Sequence, residues 1–151
     1  MRRKPLISVI SILVTIGILI SVSSIWKHKT TELSAQIKYD LEISSRMTVK
    51  NVKKVVNTEA NLGGTYLEPD IYGVPTNPGT GMLRYYLDDK LHRTLNVPYQ
   101  LITANIYSQA NPSTHSVIAY TSSTVKVPIL FGINTQITEK YQFPDPVKKL
   151  K

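Results

Sequence analysis

No cysteine occurs among the 151 residues, which removes disulfide staples, thiolate metal sites and cysteine nucleophiles together. That absence does not fix a redox compartment, because an exported domain can also do without cysteine. Acidic residues are scarce, ten Asp and Glu against eighteen Lys and Arg. Three of those bases precede residue 5, so the rest of the chain holds fifteen against ten. An excess so thinly spread excludes the dense basic surface of a nucleic-acid binder. The concentrated spots are Lys50, Lys53 and Lys54, which share one face of a helix, and the tail Lys148, Lys149 and Lys151. A solvated helix face accounts for the first group; contact with anionic lipid or polymer is the other reading.

Patterns that carry chemistry are also missing. His28, His92 and His115 are scattered, and none has the HExxH spacing that sets two imidazoles on one helical face around zinc. Asp88 and Asp89 are adjacent, and neighbours on a helix diverge by about 100°. Glu68-Pro69-Asp70 reads as a solvated loop, with a cation site as its alternative. Asn77-Pro78-Gly79-Thr80-Gly81 is glycine-rich but lacks the GK[ST] that reaches phosphates, and no GxSxG elbow exists. The expectation is a protein with no catalytic residues, no metal, no cofactor and no small-molecule substrate.

What the chain does have is one long uncharged run. Residues 5–26 contain no charged side chain, and thirteen of the twenty-two are Ile, Leu or Val. As a helix they reach about 33 Å, close to the hydrocarbon thickness of a bilayer. Arg2, Arg3 and Lys4 precede the run; Lys27, His28 and Lys29 follow it. The basic start, the apolar stretch and Ser21-Val22-Ser23-Ser24 also fit a cleavable signal peptide. Retention is preferred, because the aliphatic core is long and Ile25 and Trp26 extend it past the cleavage point. Trp26 beside Lys27 is the pairing of an interfacial anchor. The charge bias slightly favours a cytoplasmic N-terminus, and a short tail inside with the C-terminal domain exported is the simplest topology, with the bilayer as first partner. Within the span, Gly17 and Ser21 form a small-xxx-small pair that suits packing against another helix.

Residues 30–61 contain neither proline nor glycine, and Leu33, Ile37 and Leu41 recur at i+4, with Val52, Val55 and Val56 beyond. Leu33, Ala35, Ile37, Tyr39, Leu41 and Ile43 also alternate with polar residues at strand period. A helix is preferred because no turn residue separates the segment from the anchor. Asn61-Leu62-Gly63-Gly64 would end it. Five of seven glycines fall between Gly63 and Gly81, with Pro69, Pro75 and Pro78, a density that predicts no regular structure there. A second amphipathic helix is expected over 82–95, stopping before Asn96-Val97-Pro98. Strands are expected over 99–107, 115–127 and 133–141, with a turn at 108–113 and a break at Pro128.

The predicted architecture is therefore α+β: an N-tail (1–4), a transmembrane helix (5–26), a stalk helix (27–62), a head (63–147) with a second helix and a three-stranded antiparallel sheet, and a basic tail (148–151). Nine tyrosines, against two Phe and one Trp, are the one compositional enrichment. Tyrosine suits half-buried strands and interfaces alike, and Tyr85, Tyr86 and Tyr120 are the candidate contact residues of the head.

This order of parts resembles the TadE-like minor pilins of tight-adherence pilus systems. The likeness lies in the basic start, the single N-terminal helix running into a stalk, the Gly63-Gly64 break and the last β region. In that region Val117-Ile118-Ala119-Tyr120 runs through Val127-Pro128-Ile129-Leu130-Phe131-Gly132 to Ile133-Asn134-Thr135-Gln136-Ile137, similar to their closing hairpin. The chain departs from the prepilin pattern, since Gly17 is neither at the processing position nor followed by a helix Glu. The resemblance implies a structural component of a pilus or secretion assembly, associating with other membrane or pilus proteins through span and head. A membrane-anchored or secreted binding module for a cell-wall or extracellular ligand is the alternative.

Overall fold

From Lys4 to Thr58 the chain is one continuous helix, α1, of 55 residues, about 80 Å long at 1.5 Å per residue. The computed structural model describes residues 4–58, 78–111, 113–146 and 148–149. Pro5 lies in the first turn of α1, where a missing N–H breaks no bond. The choice between helix and strand for 30–45 is settled by burial. Ile37, Asp40, Leu41, Ser44, Ser45, Thr48 and Val49 are buried while Tyr39 is exposed, a period of three and four rather than two. The expected stop at Asn61-Leu62-Gly63-Gly64 lies outside the described residues, as do Glu68-Pro69-Asp70, Tyr66 and Tyr72.

The second helix, α2 (Pro78–Thr94), starts four residues earlier than expected. Pro78 takes the first helical position, which tolerates its locked φ and lost donor. Tertiary contact supports the glycine-containing first turn: the Thr80 hydroxyl is buried and accepts the Ile106 N–H at 3.4 Å. Leu83, Leu87 and Leu91 recur every four residues and are fully buried, each removal from water stabilising by about 1.5–3 kcal/mol. The last turn closes with a bond from Leu95 N–H to Leu91 O of 2.9 Å.

Three long strands, β1 (Gln100–Asn111), β2 (Ser116–Leu130) and β3 (Ile133–Gln142), form an antiparallel sheet in the order β1-β2-β3. A two-residue strand, β4 (Lys148–Lys149), pairs with the start of β2, so two lysines of the basic tail are sheet residues. The strands outrun their expected ends because pairing overrides local composition. β1 continues through residues read as turn, since Gln109, Ala110 and Asn111 pair with Ile118, Val117 and Ser116. Pro128 does not break β2; it pairs with Asn134. β1 ends its pairing at Gln100 opposite Lys126, so on that side β2 is an edge at Pro128, and a register shift follows between Pro128 and Leu130. Those are the settings in which a strand accepts proline.

One sheet face packs on the helices: Ala119, Thr121, Ser123, Val125, Val127 and Ile129 of β2 are buried. Cross-links fix the directions. Ser34 meets Glu139, and Ser45 meets Thr121, the strand partner of Tyr141. α1 and β3 therefore run the same way, and the β2–β3 turn lies at the end from which α1 enters the head. α2 runs back along α1, with the Asn51 amide donating to the Tyr86 hydroxyl at 2.6 Å and Asp40 meeting Thr94.

Candidate functional site

Among the described residues nothing covers the first half of α1 from Ile7 to Ile25. Eleven large apolar side chains between Ile7 and Ile25 are exposed, from 46% at Ile16 to 66% at Ile7. Leaving them in water would forfeit on the order of 20 kcal/mol of transfer free energy, more than the about 5–15 kcal/mol that holds a whole domain folded. The helix is long and apolar enough to cross a membrane, and the surface demands a cover of lipid or other apolar helices. Two of its hydroxyls are compatible with that setting. Thr15 donates to the Ser11 carbonyl and Ser21 to the Gly17 carbonyl, both at 2.9 Å, so neither needs water.

Gly17 lies on this uncovered stretch, with no atom within 4 Å of where a Cβ would stand. Ser21 is exposed one turn on. Together they leave a smooth notch, formed by absent side chains rather than by free donors, because the Ser21 hydroxyl is already used. Trp26 is half-buried and packs against the hydrophobic core of the head, so it joins the uncovered stretch of α1 to the head. Lys27 is exposed beside it.

The tyrosines singled out from sequence do not converge. Tyr85 is 71% exposed and meets the Tyr86 ring edge-on at 5.6 Å, while Tyr86 is half-buried by its bond to Asn51. Tyr120 is on the opposite sheet face, stacked on Tyr107 at 5.4 Å and 10°. That outer face also carries Asn105, Ser122 and Lys140 in one row and Thr103, Thr124 and Thr138 in the next. Glu139, the one acidic residue of β1–β3, points the other way, accepting the Ser34 hydroxyl.

Between α1 and the rest of the head runs a polar seam that no sequence motif marks. Asp40 is fully buried; its carboxylate accepts the Thr94 hydroxyl and the Gln36 amide, the latter at 3.2 Å. Ser45 and Thr121 are joined at 2.8 Å. The Ser44 and Ser123 hydroxyls are buried without a hydrogen-bond partner among the described residues. Nothing in the local sequence separates Asp40 from an exposed helix acid; only the three-and-four spacing with Ile37, Leu41 and Ser44 marks its face.

Titratable groups elsewhere serve structure. Burial, then the bond to Asp88, pushes the Tyr99 phenol up to about 12; its hydroxyl donates to the Asp88 carbonyl at 2.9 Å and carboxylate at 3.0 Å. Burial also raises Tyr141, against the opposing Arg46 guanidinium 5.9 Å above its ring. Asp89 pairs with Arg93 at 2.9 Å, so Asp88 and Asp89 have separate partners. His28, His92 and His115 are exposed and apart. Among the described residues no three of His, Cys, Asp and Glu are grouped to hold a metal ion.

Compared with known proteins, the chain matches no family model, no curated protein and no solved structure.

Proposed function

We propose that this chain is a single-pass membrane-anchored structural subunit, minor-pilin-like, of a bacterial pilus or secretion-type surface assembly. The N-terminus is cytoplasmic and the head extracellular in this reading. The observation that supports it is the continuity of α1, whose uncovered first half and core-forming second half are one helix with no break between Lys4 and Thr58. A helix without a hinge couples span and head as one rod, so helix packing in the bilayer sets where neighbouring heads meet. Association is then the mechanism, through the Gly17–Ser21 notch in the membrane and the exposed Tyr85 above it.

A photo-crosslinking residue at position 17, in native membranes, should give a discrete adduct with another membrane helix, and Gly17→Leu should diminish assembly. The reading fails if no position on the span yields an adduct and a chain lacking residues 1–26 retains full activity.

The outer sheet face favours a second reading, a binding module. Its rows of hydroxyl and amide side chains, the Tyr107–Tyr120 stack, Lys126 and Lys140 on one carboxylate-free face suit an anionic glycan. Under that reading Tyr120→Ala and Lys140→Glu abolish retention on cell-wall polysaccharide while the Gly17 adduct is absent.

A further inference from the structure

We propose that the β2–β3 hairpin tip is a second membrane contact, dipping into the interfacial layer of the leaflet from which α1 emerges. The inference rests on the reading that α1 spans the bilayer.

The β2–β3 ladder continues to Leu130 opposite Ile133, whereas β1 stops at Gln100 opposite Lys126. Residues 127–130 and their partners thus project beyond the rest of the sheet by about 13 Å at 3.3 Å per residue. The direction follows from the cross-links already described. Moving from Ser45 to Ser34 on α1 passes from Tyr141 to Glu139 on β3, so Ile133 lies farther toward the span. At that end Trp26 and Leu130 are both half-buried against the same core. The tip therefore stands near the place where the uncharged run ends and Lys27, His28 and Lys29 begin.

What the tip displays there is apolar. Phe131 is 85% exposed and Ile133 55%. Phe131 and Gly132 both have positive φ, 51° and 72°, as in a type I′ hairpin turn. That turn favours Asn, Asp or Gly; a bulky aromatic in left-handed backbone is an outlier. In water this residue would be unfavourable twice over, by backbone and by exposed ring. In the interfacial layer the ring is at home beside Trp26. Cations at the same level, Lys27 and Lys29 on the exposed side of α1, fit the headgroups. Two points of attachment stop the head from rotating about the α1 axis, which orients the outer sheet face and Tyr85 relative to the membrane plane.

The test uses the full chain in phosphatidylcholine–phosphatidylglycerol vesicles, and the absence of native cysteine makes each label unique. An environment-sensitive fluorophore is attached in turn to Phe131→Cys, Ile133→Cys, Ile16→Cys and Thr138→Cys. Labels at 131 and 133 should be blue-shifted and quenched about twofold more by a shallow acyl-chain nitroxide than by a deep one. The label at 16 should show the reverse depth order, and that at 138 should report water. Reading Ile133→Cys with Phe131 intact guards against a turn altered by the first substitution. If 131 and 133 report water while 16 reports lipid, the hairpin proposal is overturned and the span stands. If 16 also reports water, the spanning reading is overturned and the hairpin contact with it.

Discussion

Ser45 on α1 and Thr121 on β2 share a hydrogen bond of 2.8 Å in which both residues are buried. Ser45 donates its one proton to the Leu41 carbonyl at 2.5 Å, so Thr121 donates between them, its hydroxyl also lying 3.4 Å from the Tyr141 carbonyl. This bond ties the continuous helix to the central strand at the middle of the head. Thr121→Val takes away the donor that Ser45 accepts, and Ser45→Ala leaves the Thr121 hydroxyl only its longer 3.4 Å bond to the Tyr141 carbonyl; each should destabilise by about 1–3 kcal/mol. The double variant, which removes both polar groups, should be less destabilised than the two singles added together. Urea unfolding of the four chains in detergent measures the coupling directly.

Asp40 poses the same question with a charge. Thr94→Val removes one of its two donors and should destabilise the head by about 2 kcal/mol or more, since an under-satisfied buried carboxylate loses more than a neutral group. Leu87→Ala, in the fully buried α2 stripe, should cost about 2–5 kcal/mol through the cavity it leaves. The two losses should add if the seam and the leucine stripe are independent.

Two glycines in open space should respond to alanine with opposite signs. Gly132 has φ of +72° and nothing within 4 Å of where a methyl group would stand, so Gly132→Ala strains the backbone alone and should destabilise by about 1–2 kcal/mol. Gly17 is equally unobstructed but helical, so Gly17→Ala should stabilise α1 by about 0.5–1 kcal/mol. Hydrogen exchange along α1 and thermal unfolding of the head separate the two effects.

Alkaline pH should weaken the head through Tyr99. Its phenol is raised to about 12 when folded, against an ordinary value of 10.0. Between those values the folded chain keeps a proton that the unfolded chain has released, so stability falls as pH rises through the window and is fully present below it. Tyr99→Phe should flatten that part of the profile, read by tyrosinate absorbance alongside unfolding midpoints.

Long, local patterns are legible in the sequence, and long-range pairing is not. The uncharged run, the α2 leucines and the three strands follow from periodicity and composition near each residue. Pro128 reads as a break because its tolerance depends on where β1 ends, a fact of register that no window around Pro128 contains. The first turn of α2 escapes a local reading because Gly79 and Gly81 argue against helix, while the Thr80–Ile106 contact is tertiary. Asp40 is hidden because an acid on a helix is ordinarily solvated; its burial depends on Thr94 arriving from α2. Phe131 is visible as an apolar residue beside a glycine, yet its exposure and its level along α1 require the strand directions.

The central claim is that residues 5–26 cross a bilayer with the head outside, and substituted-cysteine accessibility in intact cells tests it most directly. With no native cysteine in the background, a membrane-impermeant maleimide should label Lys140→Cys at once, Arg2→Cys only after permeabilisation, and Ile16→Cys in neither condition. Labelling of Ile16→Cys in intact cells, or equal access to positions 2 and 140 from one side, would contradict the account.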